Sequence, residues 1–275
     1  MPMIAGRVVA VTGGGRGIGR AIAAELCRRG AYVAVGDIDE VAAKETATAL
    51  PGRVLGLHLD VTDRVSFAGF LDATVSEFGL LDVLVNNAGI MPTGPFEDEG
   101  DELARRLVDV NVHGVILGAK LALERMLPRG AGHIVTVSSG AGYMAAPGMA
   151  TYCGTKHAVV GLSEALRLEY RTRGIAVTTV LPGVIDTELS RGLPDIRGLP
   201  KVAPSVVAAA VVKAIERPRA SVFVPWQVGL AGRLVKVLPA PVVDRVFAAM
   251  GAERGVLDSD ADARAAYERR VRRQG

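Results

Sequence analysis

Little in this chain could staple it, carry it through a membrane or hold a metal. It has two cysteines, Cys27 and Cys153, and neither lies in a Cys-x-x-Cys pair. Two thiols make no disulfide framework, so a reducing, cytoplasmic setting is the natural expectation. The four histidines, His58, His113, His133 and His157, share no metal-ligand spacing, and no metal site is expected. No stretch of 18 or more apolar residues is free of charge, which argues against a transmembrane helix. The opening MPMIAGRVVAVTGG has no charged region ahead of a long apolar run and reads as a first strand rather than a signal peptide. Charge of one sign is also lacking: the net charge is +3, with much of the basic excess in Arg264, Arg269, Arg270, Arg272 and Arg273. Without a matching motif this end reads as a solvated helix, not a nucleic-acid contact. Aromatics are only 4%, and there is neither an internal repeat nor a low-complexity segment.

What the 275 residues do contain is an alternation. Short apolar, β-branched runs fall at Arg7–Thr12, Tyr32–Val35, Val54–Leu59, Val83–Val85, His133–Val137, Ala176–Val180 and Val222–Val224. Helical periodicity fills the intervals: Gly17–Arg29, Asp39–Leu50, Arg64–Phe78, one long helix over Asp101–Leu127 stopped by Pro128, Tyr152–Thr172 and Pro204–Glu216. Seven apolar strands separated by helices imply an α/β fold, a doubly wound parallel sheet covered on both faces. The composition shifts near Trp226. Residues 1–227 read as one α/β domain. Residues 228–275 read as a helical extension of it, broken by Pro239 and Pro241 and ending in a charged helix after an acidic patch at Asp258–Asp262.

Thr12-Gly13-Gly14-Gly15-Arg16-Gly17-Ile18-Gly19 joins the first strand to the first helix. Glycines let the backbone turn tightly and approach a pyrophosphate, and the helix N-terminus offers that anion free N–H groups and partial positive charge. The motif requires a strand before it, a helix after it and an acidic residue further on. Asp37 is that residue, 18 positions beyond Gly19. Its carboxylate would accept bonds from the ribose hydroxyls of NAD and repel the 2′-phosphate of NADP, by roughly 4 kcal/mol at about 4 Å and an effective dielectric of about 20. Arg16 pulls toward NADP, but Asp37 occupies the hydroxyl position and the following Ile38 is not basic; NAD is therefore expected over NADP.

Tyr152-Cys153-Gly154-Thr155-Lys156 places a phenol and an ammonium four residues apart, on one helical face. To act as a base near neutrality the phenol must fall from an ordinary pKa of about 10, roughly 4 kcal/mol. A Lys⁺ at close range together with a positive nicotinamide ring can supply about that much. Ser138-Ser139 ends the strand HIVTVSS, 13 residues before Tyr152, at the sheet edge where ligands bind in such folds. Alternation puts Ser138 opposite Ser139, in a structural role. Asn111 lies in an otherwise apolar helical stretch and needs a partner, either within its helix or through a water to Lys156. Cys153 faces elsewhere on the helix, as a packed thiol.

Taken together, TGGGRGIG, Asp37, Asp60-Val61, Asn86-Asn87-Ala88-Gly89, Asn111, Ser139, Tyr152, Lys156 and Pro182-Gly183-Val184-Ile185-Asp186-Thr187 resemble the short-chain dehydrogenase/reductase family over roughly residues 6 to 225. The resemblance implies that Tyr152 is the general acid/base and that Lys156 lowers its pKa and binds the nicotinamide ribose. It implies that Ser139 polarises the substrate oxygen and Asn111 completes a proton relay. Asp60 and Val61 would border the adenine, and Asn87, Ala88 and Gly89 the ribose side. Ile185 and Thr187 would contact the carboxamide, above a loop shaped by Pro182 and Gly183. The implied reaction is hydride transfer between NAD(H) and a secondary alcohol or ketone. The implied assembly is a homotetramer or dimer built through the helices carrying Asn111 and Tyr152.

The resemblance also implies that the segment after Thr187, with Leu189, Leu193, Ile196 and Leu199, covers the substrate. Tyr143, Met144, Met91, Pro92 and Met149 are candidates for the same pocket, and an apolar substrate is favoured over a sugar. The extension is expected to cover the pocket, join a neighbouring subunit or, with Arg233, Lys236 and Arg245 among apolar residues, lie on a membrane surface; a helix packed on protein is preferred. Two other classes compete. A redox-sensing NAD(H)-binding module on the same fold would not need Tyr152, Lys156 and Ser139. Neither would a methyltransferase.

Overall fold

Alternating Val, Ala and Leu side chains decide both faces of the sheet. In the computed structural model, residues 4–193, 200–249, 256, 257 and 259–273 are described. Among them seven strands pair in parallel: β1 (Val8–Thr12), β2 (Tyr32–Asp37), β3 (Val54–His58), β4 (Val83–Asn86), β5 (Gly132–Val137), β6 (Ile175–Pro182) and β7 (Ser221–Val224). Their order is β3-β2-β1-β4-β5-β6-β7, so the winding reverses between β1 and β4. A crevice opens outside the strands' carboxyl ends at such a point.

Val9 and Val11 of β1 and Val33 and Val35 of β2 face one layer, built from α1 (Gly17–Arg28) and α7 (Pro204–Glu216) with Ile22, Leu26, Val207 and Val211. Ala10 and Ala34 face the other, with Phe67 and Leu71 of α3 (Arg64–Phe78) and Leu121 and Ala122 of α5 (Gly114–Met126). All five β1 residues are buried; each fully buried Val, Leu or Phe contributes about 1.5–3 kcal/mol. The doubly wound sheet read from the sequence is therefore the observed one.

Helix starts follow local chemistry. The Asp39 side chain caps α2 (Glu40–Ala49) by accepting the Ala42 N–H, and Asp63 caps α3 by accepting from Val65 and Ser66. The first turn of α1, entered from Arg16, has no side-chain cap.

The single helix expected over Asp101–Leu127 is divided. It runs as α4 (Asp101–Val108), a π-helical turn at Asp109–His113 and α5, followed by a 3-10 turn at Leu127–Arg129 containing Pro128. The π turn carries Asn111, whose amide is used outside the helix, and such insertions recur at functional sites. α6 (Ala150–Tyr170) bears Tyr152 and Lys156. Beyond β7, α8 (Trp226–Val237) packs on that strand, with Phe223 against Gly229. α9 (Ala240–Ala249) buries none of its described residues. α10 (Ala261–Arg273) returns to the carboxyl edge of the sheet, where Arg264, Tyr267 and Val271 are buried. Among the described residues no helix is long and apolar enough to cross a membrane.

Candidate active site

The glycine loop is stitched to the end of β4. Thr12 Oγ1 accepts the N–H groups of Asn87 and Ala88, both at 3.0 Å, and Asn87 Nδ2 donates to Thr12 O at 2.9 Å and Gly13 O at 3.1 Å. Gly13 has φ +64, and a Cβ on it would lie 2.8 Å from Ala88 Cα. A Cβ on Gly19 would lie 2.1 Å from Gly13 O. Both positions therefore require glycine. Asp37 braces the other side of the loop: its Oδ2 accepts from Gly15 N at 2.9 Å and its Oδ1 from Asp39 N at 3.1 Å.

This loop borders a cavity of about 1150 Å³. Its wall brings together Gly13, Arg16, Gly17, Ile18, Asp37, Ile38, Asp60, Val61, Asn87, Ala88, Gly89 and Thr187, all singled out from the sequence. A glycine cradle, a helix N-terminus without a cap and a carboxylate at the end of β2 fit a dinucleotide. Other predicted contacts lie behind the wall. Gly19 is packed under the loop, Ile185 is buried in the core, and Gly183 sits against Val228 and Pro225. Pro182, Tyr152 and Lys156 also fall outside it. Conversely, Arg106, Glu188, Tyr267 and Arg270 line the cavity without having been foreseen. For Tyr267 and Arg270 no local motif exists, because they arrive from a helix more than 240 residues after the glycine loop.

The four predicted catalytic side chains converge beside this wall. Tyr152 and Lys156 are nearly buried, with Lys156 Nζ 5.6 Å from the centre of the phenol ring and 3.3 Å from Val137 O, to which it donates. The Ser139 hydroxyl accepts the Ala141 N–H at 3.1 Å and lies close enough to the Tyr152 phenol to draw its pKa down. Burial raises the phenol above its ordinary pKa, with Ser139 pulling the other way, and burial also brings Lys156 down to about 8. The sequence predicts a phenol lowered by its cation. In this structure burial is the largest influence on the phenol and drives it the other way, while the ammonium lies beside the ring and donates to a backbone carbonyl.

Asn111 neither bonds within its own helix nor contacts Lys156 directly. It grips Ile90, accepting its N–H and donating to its carbonyl, both at 2.9 Å, and also donates to Thr155 Oγ1 at 3.2 Å. Gly89 fits between Asn111 and Lys156: a Cβ there would lie 3.1 Å from Asn111 Oδ1 and 3.5 Å from Lys156 Nζ. Ser138 donates to Lys156 O at 3.0 Å. Cys153 is a packed thiol whose pKa is raised by burial.

Above Tyr152 lies an apolar cluster of Met91, Leu107, Met149, Cys153, Leu193 and Val256, flanked by Ile90 and Leu189. Met91, Met149, Leu189 and Leu193, candidates for a substrate cover, thus pack around Tyr152. Tyr143 does not: it packs edge-on to Phe223 at 5.2 Å, with Lys236 3.7 Å above its ring. Ile196 and Leu199 lie outside the described residues. The roof is secured by α10. Arg264 is 1% exposed and donates from Nη1 to Leu189 O (3.1 Å) and Arg191 O (3.3 Å), and from Nη2 to Met91 O (2.9 Å). The Tyr267 hydroxyl accepts the Met91 N–H at 2.7 Å, and burial pushes its pKa up to about 12. One helix therefore ties the segment after β4 to the segment after β6.

Residues 7–196 match the family described as short chain dehydrogenase. The chain belongs to the short-chain dehydrogenases. Two relatives of this short-chain dehydrogenase act on ring alcohols by name. It is 39% identical over 194 residues to the 2,5-dichloro-2,5-cyclohexadiene-1,4-diol dehydrogenase of Sphingobium indicum, covering 70% of this chain and 78% of that one. It is 41% identical over 196 residues to the cis-4-hydroxycyclohexanecarboxylate dehydrogenase of Sinomonas cyclohexanicum, with the same coverage. A short-chain dehydrogenase/reductase from Burkholderia phymatum, solved in complex with NAD, superposes with a TM-score of 0.79 at 27% identity, covering 86% of this chain and 95% of that one. The family match ends at residue 196, so α8, α9 and α10 of this short-chain dehydrogenase lie beyond it.

Proposed function

We infer that this short-chain dehydrogenase transfers a hydride between NAD(H) and a secondary alcohol or ketone, with Tyr152 as general acid/base. The observation that carries this reading is the convergence of Tyr152, Lys156 and Ser139 at the strands' carboxyl edge, beside a glycine cradle braced by Asp37. Gly13, Gly17, Ile18 and the free N–H groups of the first turn of α1 would hold the diphosphate, Asp37 the adenosine ribose, Asp60 and Val61 the adenine, and Lys156 and Thr187 the nicotinamide end. When bound, the nicotinamide supplies the hydride acceptor or donor and, oxidised, a positive charge beside the phenol.

In the oxidative direction Tyr152, as phenolate, takes the proton of the substrate hydroxyl; in the reductive direction its phenol returns that proton to the carbonyl oxygen. Ser139 donates to the same oxygen and holds it within reach of the phenol. Lys156 keeps a positive charge under the phenolate, and Asn111 holds Ile90, and with it the wall beside Lys156, in place. NAD is preferred over NADP because Asp37 faces the ribose position while Arg16 is engaged, its Nη2 2.6 Å from Asp39 Oδ2. The apolar roof and the ring alcohols named for two relatives support an apolar, ring-bearing substrate. Residues 1–227 form the catalytic domain and 228–275 its extension, in a homotetramer or dimer built through the helices carrying Asn111 and Tyr152.

The test is absorbance at 340 nm with NAD⁺ and NADP⁺ against a panel of secondary cyclic and acyclic alcohols. Tyr152→Phe is expected to lower kcat by at least about 10²–10⁴-fold, the usual contribution of a general acid/base, while NADH still binds. Substantial residual turnover in that variant removes Tyr152 from the role.

A further inference from the structure

α10 reaches past the apolar roof into the mouth of the cleft. Its inward face carries Arg264, Tyr267 and Val271, buried at one-turn and two-turn spacing, which fixes where the residues between them emerge. Arg270 emerges into the cavity wall beside Gly17, Ile18, Thr187 and Glu188, where the uncapped first turn of α1 opens. Its Nη2 lies 2.8 Å from Glu188 Oε2, and both side chains are 31% exposed. The Arg16–Asp39 pair stands at the same mouth, and the two pairs feel each other's fields. The Asp39 carboxyl, lowered first by the Ala42 N–H and then by Arg16, is lowered further by the charge of Arg270; the Glu188 carboxyl, lowered first by Arg270, is lowered also by Arg16.

This arrangement has a consequence for any diphosphate seated on α1. The anion would face the Glu188 carboxylate at close quarters, and like charges there oppose binding. The cation already at that spot has a planar fork of donors suited to phosphate oxygens. We propose that Arg270 is a ligand of the dinucleotide's diphosphate bridge, positioned by Glu188 and delivered by α10. The proposal rests on the reading of this cleft as an NAD(H) site. It adds to that site a side chain from beyond the family match, which ends at residue 196. It also links two events, because a ligand that draws on Arg270 favours the docked tail and the docked tail favours the ligand by the same factor.

Calorimetric titration of the full-length protein with NADH, ADP-ribose and adenosine tests this. Arg270→Gln is expected to weaken NADH and ADP-ribose about tenfold, the size of a charge-assisted hydrogen bond at a partly exposed site, and to leave adenosine unchanged. Glu188→Gln, which frees Arg270 and removes the opposing carboxylate, is expected to tighten NADH and ADP-ribose. If the pair merely anchored α10, both substitutions would loosen the tail and weaken binding alike, and that result overturns the proposal. So does an Arg270→Gln variant with wild-type affinity for NADH, which removes Arg270 while leaving the dinucleotide reading intact. Wild-type protein that binds neither NADH nor ADP-ribose refutes the dinucleotide reading, and this assignment with it.

Discussion

The two walls of the cleft are built by opposite means. The wall formed by residues 12–19 and 87–89 is mostly backbone, stitched by two short side chains, Thr12 and Asn87. Its shape comes from glycines that exclude a Cβ, and its bonds run between neighbouring strand ends. The wall formed by α10 is side chain. Arg264, Tyr267 and Arg270 hold segments 73 to 176 residues away, through backbone carbonyls, one N–H and one carboxylate. A backbone wall is rigid, tolerates almost no substitution and leaves a local motif in the sequence. A side-chain wall is attached at a few points and leaves no motif. The helices on either side differ in the same sense. α1 sits in the core, whereas Leu230, Leu234, Val237 and Val246 of the extension are about half exposed or more.

The contrast breaks first at Arg264. Arg264→Ala leaves the carbonyls of Met91, Leu189 and Arg191 without their donor, a loss of about 4 kcal/mol. The expected outcome is release of α10, seen as faster amide exchange throughout that helix with β1 and β4 unchanged. Equal acceleration in both regions would mean that the two walls are one cooperative unit.

On the backbone wall, Gly19→Ala forces a Cβ against Gly13 O and is expected to cost about 3 kcal/mol. The thermal midpoint should fall and NADH affinity should drop at least about tenfold. Wild-type affinity in this variant would show that the cradle does not hold the cofactor.

Acid separates the regions further. Buried His133, with Nε2 2.9 Å from Thr178 Oγ1, has its pKa pushed down to about 4 by desolvation. The unfolded chain takes up this proton near pH 6.5 and the folded chain only near pH 4. Stability is therefore full above pH 6.5, falls as pH drops toward 4 and is flat below, by about 3 kcal/mol in all. His133→Asn should abolish the decline over that window in a chemical-denaturation series. An unchanged pH dependence would assign the acid sensitivity elsewhere, the carboxylates of the extension included.

The smallest effect is expected at Arg16→Gln. The Arg16–Asp39 pair is exposed, and its loss should change stability by no more than about 0.5 kcal/mol, with the ratio of NAD⁺ to NADP⁺ affinities unchanged. A drop in NADP⁺ affinity would show that Arg16 turns away from Asp39 toward a 2′-phosphate.

Much of the fold is legible in the residues because its signals are local. The helices over Arg64–Phe78 and Pro204–Glu216 run within the predicted bounds, the first closed by Gly79 and the second opened by Pro204. The seven apolar runs are the seven strands. The division of Asp101–Leu127 was not legible. The π turn that divides it carries Asn111, which bonds Ile90 on another segment, and hydrophobic periodicity carries no information about such a partner. Tyr143 is a candidate for the substrate pocket in the sequence, but packing against Phe223 and Lys236 turns it toward α8. In the site, Gly13, Asp37 and Asn87 were readable from a motif, whereas Arg106, Glu188, Tyr267 and Arg270 carry no signature shorter than the whole fold.

By itself the sequence determined the parallel sheet, the glycine cradle and the tyrosine–lysine face of α6, because each depends on spacing within one element or one turn. Only the tertiary structure decided that α10 roofs the site, that Arg264 joins two distant segments and that Arg270 stands at the glycine loop. Those outcomes rest on side chains meeting backbone groups far away in the chain, and such meetings exist only once the sheet has brought the segments together.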